Sequence, residues 1–328
     1  MMKTLRTLLA STFVALGLGL ALHQAPAFAE SIKIAVVTHG QSSDSYWGVV
    51  KKGVDDATKL MGVHVTYQAP QTTDMVAMSR MIDAAVTQKV NGLVVSIPDP
   101  TALGKSIKAA VAAGIPVIII DSGEDQVEAM GAKLFVGTQN YFAQGEAAAK
   151  TLISEGVTDG VCANAEPGNL VNESACDGFK KGMNGHGDRV DISMDPTDTG
   201  ARIVAYVSSH PKVNGILALG APQCVNIING LRAKGILGNY KVGNFDVSPD
   251  TLVALQKGEV QFSFDSQQYL MGYLPIILLT QNARYGVLPT QNIYTGPTPV
   301  TKADVEKIMM LSKKGLRSQV SAPYSKNA

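Results

Sequence analysis

The chain has 328 residues, 45% of them hydrophobic and 17% charged, with a formal net charge of +1. That length accommodates two ordinary domains with a core each, and a charge this near zero excludes the basic field that would gather nucleic acid or an anionic membrane. Cys162, Cys176 and Cys224 form no CxxC pair and no zinc-like cluster, so no redox motif or metal site is expected.

Lys3 and Arg6 precede an apolar stretch at 8–22 and the small-x-small triplet Ala27-Phe28-Ala29, the layout of a cleaved secretory signal. Residues 1–29 are therefore expected to be removed, the mature chain to begin at Glu30, and the protein to reside in the periplasm. A membrane-spanning helix needs about 20 apolar residues, whereas this stretch is shorter and runs into Gln24 and Pro26. Without Lys3 and Arg6 the mature chain carries 26 basic and 27 acidic residues, a net charge of −1. In an oxidising compartment a Cys162–Cys176 bridge is permitted, and three buried thiols are the equal alternative.

From Ile32 onward, short β-branched runs alternate with helix-period segments, the pattern of a parallel sheet covered on both faces. A strand at 32–38 leads to a helix whose apolar stripe is Trp47, Val50, Val54, Ala57 and Met61, at spacings of three and four. A strand at 63–67, a helix marked by Met75, Met78, Ile82 and Ala85, and a strand at 92–97 follow. A helix through Leu103, Ile107 and Val111 then leads to a strand at 117–120. The order begins again with a strand at 160–165, a helix around Phe179 and Met183, a strand at 191–194 and a helix through Ile203, Val204 and Val207. A strand at 215–219, a helix over 224–233 and strands at 241–245 and 260–264 complete it. Strands this apolar are buried on both faces, so the fold class is α/β, with two similar Rossmann-like lobes. A ligand is expected in the cleft between the carboxyl ends of the two sheets.

Six motifs follow one another along the chain: Tyr46-Trp47 after the first strand, Val94-Val95-Ser96-Ile97-Pro98-Asp99, Ile115-Pro116-Val117 leading to Asp121, Val136-Gly137-Thr138-Gln139-Asn140, Asp177-Gly178-Phe179, and Val242-Gly243-Asn244-Phe245-Asp246. On their order and spacing the chain resembles the periplasmic sugar-binding proteins of ABC transporters, the ribose-binding-protein-like group of type I periplasmic binding proteins, over essentially its whole mature length. The resemblance implies a three-crossing hinge near Thr138, Asp265 and Tyr294. It implies an N-terminal lobe of 30–138 plus 265–293, a C-terminal lobe of 139–264 plus 294–328, and closure of the lobes on ligand. The partners it implies are a small sugar or polyol, the membrane permease of an ABC transporter and, beyond these, a chemoreceptor. The protein is expected to be a monomer without a cofactor.

Sugars and polyols offer hydroxyls and patches of C–H, so their sites need carboxylate or amide acceptors and a flat aromatic face. The resemblance puts Trp47 where an aromatic stacks on the sugar, with Tyr46 beside it; the plainer reading makes Trp47 the first core residue of its helix. It puts Asp121 and Asp246 where each lobe binds ligand hydroxyls, and Asp265 at a hinge position that bonds the ligand, with Ser266 or Gln267 as alternatives one register away. Asp44 replaces a family Asn, and His39 stands where a small polar residue is common. Asn169 and Asn172 are amide candidates, with helix capping as the competing role.

The chain also departs from the ribose type, which has an Arg after the Asp of strand four and another ahead of the Gly-Phe pair; here these are Ser122 and Glu173. A site without a guanidinium disfavours ribose and any anion, and suits a neutral hydroxyl-rich molecule or an amine. No GxSxG, P-loop, HExxH or metal-ligand cluster points to catalysis, and His39, His64, His186 and His210 are scattered. The same core occurs behind DNA-binding heads, but here a signal segment takes that place. The remaining alternatives keep the fold and change the role: a furanone-type signal or small amine as ligand, or a non-transport sensor.

Overall fold

The computed structural model describes residues 31–40, 44–72 and 74–313; the expected signal segment, 1–29, and the end of the chain, 314–328, lie outside the described residues. The elements begin with β1 (Lys33–Val37), α1 (Ser45–Met61), β2 (His64–Gln68), α2 (Met75–Thr87), β3 (Gly92–Ser96), α3 (Pro100–Ala112), β4 (Val117–Ile120), α4 (Val127–Met130) and β5 (Leu134–Thr138). They continue with α5 (Tyr141–Ser154), β6 (Gly160–Asn164), α6 (Leu170–Gly182), β7 (Gly187–Asp191), α7 (Pro196–Ser209), β8 (Gly215–Ala218), α8 (Ala221–Ala233), β9 (Lys241–Phe245), α9 (Pro249–Lys257) and β10 (Phe262–Asp265). The chain ends in α10 (Gln268–Tyr285), β11 (Ile293–Gly296), β12 (Thr298–Val300) and α11 (Val305–Lys313).

The strands form two six-stranded sheets, β11-β5-β4-β3-β1-β2 and β12-β10-β9-β8-β6-β7. Exchanging β1–β5 for β6–β10 and β11 for β12 turns one order into the other, so the chain is an internal repeat of two α/β lobes. Pairing is parallel except where β12 meets β10. The central strands β3, β4 and β5 are buried at every residue, because helices cover both faces of the sheet. The repeat extends to helix packing. A Cβ on Gly272 of α10 would lie 1.9 Å from the Val50 carbonyl oxygen of α1, and one on Gly178 of α6 would lie 1.9 Å from that of Phe142 in α5. In each lobe the two helices cross so closely that only glycine fits.

The chain passes between sheets three times: from β5 to α5, from β10 to α10, and from β11 to β12. The third passage lies beyond Tyr294, where it was expected, because Ile293 and Tyr294 still pair with Val136 and Gly137 of the first sheet. Another difference is the strand expected at 191–194, which runs over Gly187–Asp191 instead. As an edge strand it is mostly solvent-exposed and polar, so apolar runs do not mark it; buried Ile192 just beyond it gave the misleading pattern. Helices α5 and α10 were not announced by periodicity, the first being Ala-rich and the second apolar on nearly all sides with Pro275 inside it.

The open question over the cysteines resolves into a Cys162–Cys176 disulfide, joining β6 to α6, and a buried free Cys224. Among the described residues no helix is long and apolar enough to cross a membrane, and no His, Cys, Asp and Glu cluster could hold a metal ion.

Candidate functional site

Loops at the carboxyl ends of the strands of both lobes enclose one cavity of about 570 Å³, within the range of small-molecule sites. The first lobe contributes His39 after β1, Asp44, Tyr46 and Trp47 at the start of α1, residues 70–72 after β2, and Asp121 after β4. From the second come Tyr141 at the start of α5, Ala165 and Glu166 after β6, Asn169, Val171 and Asn172 at the start of α6, and Met194 after β7. Residues 219–223 after β8, and Phe245 and Asp246 at the end of β9, complete the wall. Leu170 N–H donates across the cleft to the Pro98 carbonyl at 3.2 Å, and His39 Nε2 stands 3.9 Å from Glu166 Oε2. His39 and Glu166 are each two residues past the ends of equivalent strands, so this contact too follows the repeat.

Asp44 is the N-cap of α1; its carboxylate accepts the Tyr46 and Trp47 backbone N–H groups, a bond pattern that fixes where the helix starts. Trp47 is a core residue of its helix, as the plainer reading expects. Its ring is 6% exposed, joins the core with Ile34 and Val50, and packs edge-on against His39 and Tyr46 at 4.8 and 5.1 Å, while part of it lines the cavity. His39 Nδ1 lies 2.9 Å from Ser96 Oγ, which also accepts the His39 backbone N–H.

Asp121 and Asp246 occupy equivalent positions, one past β4 and one past β9, and both have left-handed backbones with φ of 63° and 69°. Their N–H groups donate to Val136 and Phe264 of the neighbouring strands. Aspartate tolerates this region better than most residues, and two such residues at matched points of a cleft suggest a shared demand. Tyr46 Oη donates to Asp121 Oδ1. Asp246 Oδ1 accepts Ser266 Oγ–H at 2.5 Å and Gln268 Nε2–H at 3.2 Å.

Four carboxylates, Asp44, Asp121, Glu166 and Asp246, line the cavity, and no Lys or Arg is among its described lining residues. Burial raises the pKa of Asp44 and of Asp121. Asp246 is pushed up to about 8, by burial first and then by Asp121, Asp265 and Asp44, against the Ser266 hydrogen bond. Burial also drives the Tyr46 and Tyr141 hydroxyls well above their ordinary range, so both remain donors.

Four expected residues do not line the cavity. Ser122 is fully buried behind Asp121, its backbone spanning Ile120 and Ile97. Glu173 is held outside the lining, where it pairs with Arg189 and accepts from Asn164 Nδ2 and Gly168 N–H. Asp265 is buried in the hinge and accepts the Gln267 N–H at 2.8 Å, and Gln267, itself left-handed, reaches Thr298 Oγ1 at 3.4 Å. Asn169 and Asn172 do line the cavity, although Asn169 also caps α6 and bonds Glu166, and Asn172 donates to Asn164. Sequence reasoning missed Tyr141, Glu166, Gln223 and Met194; following each strand of the second lobe to its carboxyl end would have reached Glu166 and Gln223.

A family profile described as a periplasmic binding protein domain matches residues 34–286. The chain belongs to this family. It is similar to a xylose/arabinose-binding protein of Sulfolobus acidocaldarius, 26% identical over 307 residues that cover 86% of this chain and 74% of the relative. Among solved structures, a carbohydrate transporter protein from Acidothermus cellulolyticus in complex with myo-inositol superposes with a TM-score of 0.82 at 30% identity, covering 88% of this chain and 100% of that one. A carbohydrate transporter solute-binding protein from Agrobacterium radiobacter with D-arabinose gives 0.77 at 25% identity, covering 86% and 99%. The Sulfolobus and Agrobacterium relatives are named as binding proteins, and the type I periplasmic binding protein fold that these relatives share has the two parallel-dominated α/β lobes described above.

Proposed function

We propose that this exported chain captures one small neutral polyhydroxylated molecule, a monosaccharide or cyclic polyol, by closing its lobes around it, and delivers it to the permease of an ABC importer. The observation that carries this reading is the presence of Asp121 and Asp246 from opposite lobes in a cavity with no Lys or Arg among its described lining residues. Hydroxyls donate to carboxylates without adding charge, and the Tyr141, Asn169 and Gln223 side chains supply donors and acceptors for the rest. Trp47 and Phe245 add apolar surface for sugar C–H groups. An anionic ligand would meet Asp44, Asp121, Glu166 and Asp246 with no Lys or Arg among the described lining residues, which disfavours it. Similar proteins that hold myo-inositol and D-arabinose support a ligand of five or six carbons. The hinge passes at 138–141, 265–268 and 296–298 would carry the closure.

The same carboxylates favour a second reading, a small primary amine. Thermal unfolding of ligand-stripped mature protein against myo-inositol, pentoses, hexoses, linear polyols and amines separates the two. A ligand at a hundred times its dissociation constant adds about 2.7 kcal/mol. A shift with a sugar or polyol supports the first reading, a shift with amines alone replaces it with the second, and no shift across the panel refutes both.

A further inference from the structure

We infer that Tyr46 is a positioning residue for recognition: its hydroxyl holds one oxygen of Asp121, so that the first lobe offers the ligand the other oxygen as a single oriented acceptor. The inference rests on the polyol reading of the cavity and assigns Tyr46 a role apart from stacking. Tyr46 sits in the first turn of α1 and Asp121 just past β4, both in the first lobe, so their bond does not depend on closure. The hydroxyl has one proton to give, and Asp121 Oδ1 takes it; Met271 Sδ, 3.4 Å away, is a weak acceptor that cannot compete. The ring is held edge-on against Trp47 at 5.1 Å and cannot readily swing the hydroxyl into the cavity.

The second lobe repeats the arrangement with different residues: Asp246 Oδ1 is occupied by Ser266 and Gln268. Each lobe therefore presents a carboxylate whose rotation is already restricted, and the ligand need not order it. Two such acceptors on opposite walls select a compact ligand with a hydroxyl for each. The ionisable groups around Asp121 are His39 from the end of β1, Tyr46 from α1 and Glu166 from the end of β6; Tyr67 from β2, Tyr141 from α5 and Asp246 from the end of β9 also adjoin the pair. Burial raises the Asp121 pKa while His39 and the Tyr46 hydrogen bond oppose the rise. Removing the hydroxyl should thus let Asp121 keep its proton to higher pH.

The test is a double-mutant cycle of Tyr46→Phe and Asp121→Ala, with myo-inositol and D-arabinose as calorimetric titrants, together with an NMR titration of the Asp121 side-chain carbon in the ligand-free Tyr46→Phe and wild-type proteins. Tyr46→Phe should weaken binding about tenfold in the wild-type background and leave Asp121→Ala, which has no acceptor for the hydroxyl, unchanged. It should also move the Asp121 titration midpoint, and the acid limb of the affinity profile, to higher pH. Equal losses in both backgrounds would mean that the hydroxyl touches the ligand directly; that result, no loss in the wild type, or an unmoved Asp121 midpoint overturns the inference. If the wild type binds neither titrant nor any other sugar or polyol, the polyol reading fails by itself, and the ligand-free titration still decides whether Tyr46 governs Asp121.

Discussion

Asp246→Asn should make the empty protein more stable while weakening ligand binding. The Asp246 carboxyl has its pKa raised from 3.8 to about 8, so near neutral pH the folded protein retains a proton that the unfolded chain would release. Each pH unit above 3.8 costs about 1.4 kcal/mol, or roughly 4 kcal/mol at pH 7. Since the group is partly accessible and opening of the cleft relieves some of this, we expect about 2–4 kcal/mol. The sign follows from a raised acid pKa: the penalty is absent below about pH 4, grows as pH rises toward about 8, and is constant above. Asparagine keeps the Oδ1 acceptor for Ser266 and Gln268 and removes the charge, so its stability should not decline through that window on this account. Urea unfolding of ligand-stripped wild type and variant between pH 5 and 8 measures the difference. A variant no more stable than wild type at pH 7.5, with a wild type whose stability is flat across the range, would refute the reasoning.

Asp121→Ala should cost at least about 2 kcal/mol of ligand affinity by calorimetry, because a buried hydroxyl loses its acceptor, while circular dichroism shows the fold intact. Replacing both Cys162 and Cys176 by Ser opens a loop with a sequence separation of 14 and should lower stability in urea by about 3 kcal/mol. Gly272→Val forces a side chain against the Val50 carbonyl and should destabilise by about 3 kcal/mol or more, or prevent soluble expression. Trp47 is the one tryptophan of the chain and lines the cavity, so ligand titration should change intrinsic fluorescence saturably; an unchanged spectrum with a ligand that binds by calorimetry would move that ligand away from Trp47.

Legibility differed by element for identifiable reasons. Strands β1, β3, β4, β8 and β9 were readable because both of their faces are buried and the apolar run is continuous. The edge strand β7 was misplaced because one strand of its kind needs no apolar sequence. Asp121 and Asp246 could be found because the repeat puts them at matched strand ends. Ser122 and Glu173, read at the same level, do not line the cavity, since Ser122 is buried behind Asp121 past the strand end and Glu173 is turned about 100° from Asn172 around α6.

By itself, then, the sequence determined the α/β class, the duplication into two lobes and the strand ends that border the cavity, because periodicity and position within a repeat are local properties; the two places that lack a guanidinium were marked by the family resemblance. Only the tertiary structure decided which side chains share the cavity. It joined Cys162 to Cys176, turned Glu173 toward Arg189, brought Glu166 opposite His39, and set the Tyr46 hydroxyl on Asp121, 75 residues away. These contacts depend on how sheets and helices pack across long chain separations, which no local pattern encodes.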